Sequence, residues 1–163
     1  MGVAVVAGGA KNLGRVISTR LAASGHDVVV HYHSESSAQD AAETAELVRA
    51  EGVEARTIQA DLTVPANNTT LFARTVEMLG GVDIAVNTVG RVLRKPIVET
   101  TEDEFDIMFD VNAKAAYFFL KEAGIQGADG VRQRRLRHPL TTIHGSGPCH
   151  AAGTASSFVI RWY

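Results

Sequence analysis

The first 124 residues predict an α/β fold built on a doubly wound parallel sheet. Short apolar runs, typical of buried strands, alternate with segments in which apolar residues recur at helical spacing. This alternation of strand and helix favours parallel strands joined by right-handed crossovers. The chain has 163 residues, of which 45% are hydrophobic and 21% charged, so it is long enough for one domain with a core of its own.

The first strand and the first helix are the most clearly marked pair. Residues 3–7 are an apolar run that ends in Gly8-Gly9, a pattern that predicts a buried strand followed by a turn. Apolar residues at helical spacing then occupy positions 13–21, and Gly25 ends the helix.

The next elements follow the same alternation. Residues 27–32 contain three consecutive valines and predict a second buried strand. Ser36 and Gln39 have the spacing of a capping box, so we expect the second helix to begin there and to end at Gly52. Residues 55–60 predict the third strand.

The pattern continues through a fourth strand and a long helical region. Pro65 suits the first turn of the third helix, and residues 82–87 predict the fourth strand. Thr101 and Glu104 form a second capping box. An apolar face then runs to Gly124, over one helix or two successive helices.

The turn after the first strand carries the main functional signal. Residues 7–14 read Ala-Gly-Gly-Ala-Lys-Asn-Leu-Gly and join the first strand to the first helix. A phosphate at such a junction meets free N–H groups and the positive end of the helix dipole. Gly8 permits a tight turn, and Gly14 lets the helix pack closely on the sheet. A structural turn is the alternative, but this context predicts a Rossmann-type dinucleotide-binding domain.

The loop resembles the T-G-x-x-x-G-x-G motif of the short-chain dehydrogenase/reductase family. Ala7 stands in place of the Thr, and Asn12 stands in place of the middle Gly. Asn tolerates left-handed backbone geometry better than most residues, so we expect the loop to be kept. The resemblance implies that the cofactor is contacted by Gly8, Lys11, Asn12, Leu13 and Gly14.

Three further motifs match in the order that the family has them. Asp61-Leu62 follows the third strand, where the family's Asp contacts the adenine ring. The run from Asn87 to Gly90 follows the fourth strand and resembles the family's N-N-A-G. Asn112 resembles the helix Asn that relays protons through water to the catalytic Lys. Each residue alone could be a cap or a turn residue, but their common order indicates the family.

The end of the second strand favours NADP(H). NAD binders usually place an acid there, whereas His31 to Ser34 contain none. NADP-preferring members of the family often carry a basic residue where Lys11 stands. We therefore expect Lys11 and Ser34 near the 2′-phosphate. Glu35 lies beyond the expected strand end, and NAD is the alternative cofactor.

The family's catalytic Tyr-x-x-x-Lys pair has no convincing match. Only Tyr117 and Lys121 have this spacing, but they follow Asn112 too closely, on a helix where the family carries a packing face. Near the expected place, residues 151–155 read Ala-Ala-Gly-Thr-Ala and resemble Tyr-Ala-Gly-Thr-Lys with alanine at both catalytic positions. Ser146 is the nearest candidate for the family's Ser, although its spacing is too short. Asn112 is the only catalytic residue that we assign.

The composition changes abruptly near residue 130. Residues 1–130 hold 18 acidic and 11 basic residues, whereas residues 131–163 hold five arginines and no acidic residue. The β-branched run that the resemblance implies for a fifth strand is missing, so the fourth strand is predicted to be an exposed edge. The change resembles the product of a shifted reading frame or an altered gene end. We therefore divide the chain into a dinucleotide-binding portion, 1–124, and an atypical tail, 125–163.

The tail suggests two other sites that we do not favour. The arginines are not accompanied by a nucleic-acid-binding motif, so we expect no nucleic-acid partner. His138, His144 and His150 with Cys149 lack the spacing of metal ligands and acidic residues to support them, so we expect no metal.

The resemblance implies an NADP(H)-dependent oxidoreductase that acts on a carbonyl or a secondary alcohol. The missing Tyr–Lys pair leaves an alternative, a catalytically inactive dinucleotide-binding remnant or a module that works with a partner chain. A homo-oligomer is also implied, because family members commonly dimerise through the helix bearing Asn112 and the next one. We see no signal peptide and no apolar run of ~20 residues, and Cys149 is the single cysteine. These features favour a cytoplasmic protein with no membrane partner.

Overall fold

A sheet with helices on both faces organises the chain. The computed structural model describes residues 2–133, 141–142 and 158–161. The strands are β1 (Val3–Ala7), β2 (Asp27–Tyr32), β3 (Ala55–Gln59), β4 (Ile84–Asn87), β5 (Thr141–Thr142) and β6 (Phe158–Arg161). The helices are α1 (Asn12–Ala23), α2 (Ala38–Arg49), α3 (Pro65–Leu79), α4 (Glu102–Phe109) and α5 (Ala115–Gln133). A π-helical turn, Asp110–Lys114, joins α4 to α5.

The strand order places the functional loops together. The order is β3-β2-β1-β4-β6-β5, and β1 to β4 are parallel. In the register, Ala4 of β1 lies between Val28 of β2 and Ile84 of β4. The chain reverses its winding at β1, because β2 lies on one side and β4 on the other. Ligands of open α/β sheets bind at such a switch point, beyond the carboxyl ends of the strands.

Two apolar layers cover the two faces of the sheet. Ala4 and Val6 of β1 face one layer, which includes residues of α1 and α2. Val5 and Ala7 face the other layer, which includes residues of α3 and α5. All five residues of β1 are buried, as expected for a central parallel strand. These layers confirm the predicted doubly wound α/β architecture.

Several predicted element boundaries are confirmed. The second strand spans 27–32, and Pro65 is the first residue of α3. The capping box at the start of α4 is also present. The Thr101 hydroxyl accepts a hydrogen bond from the Glu104 N–H, and the Glu104 carboxylate accepts one from the Thr101 N–H at 2.9 Å.

The predicted capping box at the start of the second helix is wrong. The helix α2 begins one residue later than expected, and Ser37, not Ser36, is its N-cap residue. A short 3₁₀ turn precedes it, and the Ser37 side chain makes no capping hydrogen bond. Gln39 instead donates to the Glu43 carboxylate at 3.3 Å. The spacing alone was misleading because the 3₁₀ turn shifts the start of the helix.

The predictions for the last helix and for the sheet edge are also wrong. The helix α5 continues through Gly124 to Gln133, since an interior glycine costs only about 1 kcal/mol and does not by itself end a helix. The strand β4 is not an exposed edge. The strand β6 pairs with it in antiparallel orientation, with Asn87 opposite Phe158.

Candidate functional site

Two adjoining clefts lie at the carboxyl edge of the parallel strands. The first, which we call the glycine-loop cleft, has a volume of about 380 Å³ and is lined by residues 8, 10–14, 32, 33, 37 and 88–90. The second, which we call the Asp61 cleft, has a volume of about 310 Å³ and is lined by residues 31, 33, 61–63, 89–91, 111 and 115. His33, Val89 and Gly90 line both clefts, so the two form one continuous depression.

The backbone of the glycine loop has the geometry that its residues were expected to allow. Gly8 has a φ of +73°, and Asn12 has a φ of +50°, so both are left-handed. A Cβ atom on Gly14 would lie only 2.0 Å from the Gly8 carbonyl oxygen. The loop can therefore fold against the start of α1 only because residue 14 has no side chain.

The amino end of α1 opens into the glycine-loop cleft. Lys11 is the N-cap residue, and its side chain makes no capping hydrogen bond. The first N–H groups of a helix have no partner within the helix, and here they belong to Asn12, Leu13 and Gly14, all of which line the cleft. These groups and the helix dipole favour an anion at this position.

A buried histidine, His31, is hydrogen-bonded to the glycine loop from the protein interior. Its Nδ1 accepts a hydrogen bond from the Gly8 N–H at 3.1 Å, and its Nε2 lies 2.9 Å from the Ala60 carbonyl oxygen. Burial lowers the pKa of His31 from 6.5 to about 4, so the ring is neutral at physiological pH. A neutral ring that accepts at Nδ1 must carry its proton on Nε2 and donate it to Ala60.

Asp61 and Leu62 lie where the sequence placed them, directly after β3 and in the Asp61 cleft. The Asp61 Oδ1 accepts hydrogen bonds from the Thr63 N–H at 3.0 Å and the Thr63 hydroxyl at 2.7 Å. Partial burial would raise the pKa of Asp61, but the Thr63 hydrogen bonds and the neighbouring His33 together lower it. The carboxylate is therefore ionised at neutral pH.

Only one of the two residues expected near a 2′-phosphate lines the glycine-loop cleft. Lys11 lines the glycine-loop cleft, and its Nζ lies 3.5 Å from the Asp40 carboxylate on α2. Ser34 does not line the cleft, and its hydroxyl is 2.9 Å from that of Ser36. His33 and Ser37, which were not expected at the site from the sequence, line the cleft beside Lys11.

The segment after β4 joins the glycine loop to the Asp61 cleft. The Thr88 hydroxyl donates to the Ala7 carbonyl oxygen at 2.7 Å, which holds the ends of β1 and β4 together. The Asn87 Oδ1 accepts from the Val89 N–H at 3.0 Å. The Asn87 Nδ2 is buried and has no hydrogen-bond partner within the described part of the chain. Gly90 borders both clefts.

Asn112 lies in the π-helical turn between α4 and α5. Its Oδ1 accepts from the Arg91 N–H, and its Nδ2 donates to the carbonyl oxygens of Arg91 and Met108, each at 2.9 Å. The side chain thus fastens the loop after β4 to the helix. Single π-helical turns inside α-helices are frequent at functional sites.

The Tyr117–Lys121 pair lies away from the clefts. The Tyr117 side chain is 67% exposed, and the Lys121 ammonium lies 5.7 Å above the Phe118 ring. Neither residue lines the glycine-loop cleft or the Asp61 cleft. The other tail residues that the sequence singled out lie outside the described residues: His138, His144, Ser146, Cys149, His150, Ala151 to Ala155 and Tyr163.

Two other kinds of feature are absent from the described residues. No group of three potential metal ligands among His, Cys, Asp and Glu occurs there. No helix in that part of the chain is long and apolar enough to cross a membrane.

Sequence comparison shows the family of the chain. The sequence profile of the family described as short chain dehydrogenase matches residues 2–126. The L-2,3-butanediol dehydrogenase of Corynebacterium glutamicum is 38% identical over 160 residues, which are 98% of this chain and 62% of that protein. The chain therefore belongs to the short-chain dehydrogenase/reductase family. It spans 54% and 62% of the length of two curated relatives that it matches.

Solved structures agree with this family. A putative dehydrogenase from Burkholderia cenocepacia with bound NADP has a TM-score of 0.75 and 52% identity, over 76% of this chain and 47% of that one. A blue fluorescent protein from a metagenomic library, solved in complex with NADPH, has a TM-score of 0.72 and 35% identity, over 76% of this chain and 50% of that one.

Proposed function

We propose that this chain forms the NADP(H)-binding half of an oxidoreductase that acts on a carbonyl or a secondary alcohol. The observation that carries the proposal is the uncapped amino end of α1, which opens into a cleft beside Lys11. A dinucleotide diphosphate is the kind of anion that such a helix end stabilises. Relatives solved with bound NADP or NADPH support this choice of ligand.

The residues of the two clefts fit this cofactor. Gly14 lets the Gly8 carbonyl pack against the start of α1, which holds the glycine loop beside the first N–H groups of that helix. The family resemblance assigns the adenine end to Asp61 and Leu62, which line the adjoining cleft. Asn87 is buried and lines neither cleft, and its Oδ1 holds the N–H of Val89, which lines both.

Lys11 would hold the 2′-phosphate, with His33 and Ser37 of the same cleft taking the place first expected for Ser34. Within the described part of the chain, its ammonium forms an ion pair only with the exposed Asp40 carboxylate, and such surface pairs are weak. A phosphate dianion can therefore compete for it. The absence of an acidic residue at the end of β2 removes the usual partner of a ribose 2′-hydroxyl.

The bound cofactor would supply or accept hydride, and the chain's own residues would position it. Asn112 would act at the proton-relay position that the resemblance gives it. Both Nδ2 hydrogens of Asn112 already point to backbone oxygens. A water held by this residue would therefore have to donate a hydrogen bond to it.

A fluorescence titration of the purified chain with NADPH tests the proposal, with NADH as comparison. We expect saturable binding that is tighter for NADPH. A chain that is folded by circular dichroism but binds neither dinucleotide would overturn the proposed function.

Replacement of Lys11 by alanine tests the 2′-phosphate contact. We expect NADPH affinity to fall about tenfold, which is ~1.4 kcal/mol, with NADH affinity unchanged. Arg20→Ala is the matched control, because it removes a basic residue from the opposite end of α1. Equal losses for both dinucleotides would contradict the assignment of Lys11.

A second candidate is a dinucleotide-binding module without catalysis of its own. The single Tyr-x-x-x-Lys of the sequence lies on an exposed helix face away from both clefts, which favours this candidate. An assay of NADPH oxidation with a panel of aldehydes and ketones separates the two. Binding without turnover supports the module. Turnover that survives Tyr117→Phe would mean that another group donates the proton.

A homo-oligomer is proposed from the outer face of α4. Phe105 and Phe109 stack on each other with ring centroids 6.0 Å apart, and both are 59% exposed. Tyr117 on the following helix, α5, is also exposed. Such a patch is costly in water and is typical of a surface that another protein covers.

A further inference from the structure

His31 is unusual because it is a titratable side chain inside a valine-rich, buried strand. Only 1% of the residue is exposed. Three valines precede it in β2, and they pack in the apolar layers of the sheet. A polar ring in such a place must have hydrogen-bond partners, since an unsatisfied buried donor or acceptor costs roughly 1–3 kcal/mol.

Both ring nitrogens of His31 bond to loops that border the clefts. Nδ1 accepts the Gly8 N–H of the glycine loop at 3.1 Å, and Nε2–H donates to the Ala60 carbonyl oxygen, directly after β3, at 2.9 Å. These partners are 23 and 29 residues away along the chain. The ring therefore ties the turn after β1 to the turn after β3.

The backbone of the same residue holds the next amide of the loop. The Gly9 N–H donates to the His31 carbonyl oxygen at 2.9 Å, and the Val6 carbonyl oxygen lies 3.1 Å away. Two successive amides of the loop, those of Gly8 and Gly9, thus end on His31. They point into the protein, and the N–H groups at the start of α1 are left for a ligand.

We propose that His31 is a positioning residue for the cofactor, whose ring Nδ1 holds the Gly8 peptide in its left-handed turn and so aims the amino end of α1 at the diphosphate. The inference rests on the proposed binding of NADP(H). His31 itself would not touch the diphosphate, because the Gly8 N–H stands between them.

Only one protonation state of the His31 ring can hold the Gly8 peptide in this way. The neutral form with its proton on Nε2 accepts from Gly8 and donates to Ala60, whereas a protonated ring would set an N–H against the Gly8 N–H. Burial is the main cause that lowers the pKa of His31. His33 adds to it, while Asp61 and the Ala60 carbonyl oxygen oppose it.

A pair of amide variants separates the two hydrogen bonds of the ring. His31→Asn places an amide oxygen near the position of Nδ1 and keeps the acceptor for Gly8, but it loses the donor to Ala60. His31→Gln reaches the position of Nε2 and keeps that donor, but it loses the acceptor for Gly8. The two variants match in chemistry and differ in which loop they hold.

The measurement is the dissociation constant for NADPH, by fluorescence titration, in the full chain. We expect His31→Asn to bind within about threefold of the wild type and His31→Gln to bind at least about tenfold more weakly. Gln binding as tightly as wild type, or Asn and Gln weakened equally, would overturn the role of His31. A wild-type chain that binds no NADPH would overturn the proposed function instead.

A second readout does not depend on cofactor or on the folding of a variant. In the wild-type chain, the ¹⁵N chemical shifts of the His31 ring should be those of the neutral form protonated at Nε2, and the Gly8 amide should exchange slowly with solvent. A ring protonated at Nδ1, or a Gly8 amide that exchanges as fast as an exposed one, would overturn the inference.

Discussion

At the scale of single residues, the glycine loop depends on a close backbone contact at Gly14 that leaves no room for a side chain. The backbone of Gly14 lies against the Gly8 carbonyl, so that a Cβ atom would be 2.0 Å from its oxygen. The neighbouring atoms belong to the backbone of Gly8 and Gly9, and a backbone cannot move aside as a flexible side chain can. A side chain at residue 14 would therefore displace the backbone of the glycine loop itself.

Replacement of Gly14 by alanine should lower the free energy of unfolding by at least about 2 kcal/mol and abolish NADPH binding, because the loop must move away from α1. Urea unfolding and the fluorescence titration measure these effects. Gly81→Ala is the control. A Cβ there meets nothing within 4 Å, and Gly81 has no left-handed φ, so we expect a change within about 0.5 kcal/mol. A Gly14→Ala variant as stable as this control would contradict the structure of the loop.

His31 makes stability depend on pH in a definite direction. Its pKa is about 4 in the folded protein and 6.5 in the unfolded chain. Between these values the unfolded chain binds a proton that the folded chain does not, so the free energy of unfolding decreases as pH falls from about 6.5 to about 4. The full effect is roughly 3 kcal/mol and is present above pH 6.5.

The pH dependence should disappear with the ring. Between about pH 7.5 and about pH 5, the wild type should lose roughly 2 kcal/mol more than His31→Gln, in urea unfolding at both pH values. Carboxylates titrate in both proteins, so the difference between them isolates His31. Parallel pH profiles of the two proteins would show that the folded ring titrates normally.

At the scale of elements, the two N-caps of α2 and α4 differ although both are hydroxyl residues. Thr101 accepts from the Glu104 N–H, whereas Ser37 makes no such bond. Hydrogen bonds from Lys95 and the Thr101 N–H lower the pKa of Glu104, so its carboxylate is charged at neutral pH and available to complete the box. The start of α4 is thus fixed locally, and that of α2 is not.

Thr101→Ala should lower the free energy of unfolding by about 1 kcal/mol, because the Glu104 N–H loses the hydroxyl oxygen that caps it. Ser37→Ala should leave it nearly unchanged, because Ser37 makes no capping hydrogen bond. Thermal or urea unfolding of both variants checks the pair. A larger loss from Ser37→Ala than from Thr101→Ala would contradict the assignment of the caps.

At the scale of the whole molecule, β6 extends the sheet, because it pairs with the side of β4 that was predicted from the sequence to be an exposed edge. The four pairs run from Ile84 opposite Arg161 to Asn87 opposite Phe158. An antiparallel strand satisfies the backbone groups of β4 without a helical crossover. Among the described residues, the exposed aromatic side chains lie elsewhere, on α4 and α5.

Phe109→Lys should shift the chain from an oligomer towards the monomer, because it places a charge in the exposed aromatic patch. Light scattering coupled to gel filtration measures the mass. Leu47→Lys, on the 48% exposed Leu47 of α2, is the control and should not change it. An unchanged mass for Phe109→Lys, or equal shifts for both variants, would contradict an interface at α4.

Much of the whole fold could be predicted from the sequence because its signals are local. The valine run of β2, Pro65 and the Thr101 box each specify an element within a few residues. The left-handed φ of Asn12 also follows from its own side chain. Ser37 was missed as the N-cap because the 3₁₀ turn Glu35–Ser37 shifts the start of α2 by one residue.

Local sequence signals by themselves determined the order of strands and helices along the chain, the parallel sheet and the glycine loop between the first strand and the first helix. Tertiary structure alone decided which face of the last helices is buried. It buries Phe119 against Phe72, with ring centroids 5.1 Å apart, and leaves Phe109 and Tyr117 outside. It also decided that His31 would join the loops of Gly8 and Ala60. Those choices depend on contacts between residues far apart in the chain, which periodicity does not encode.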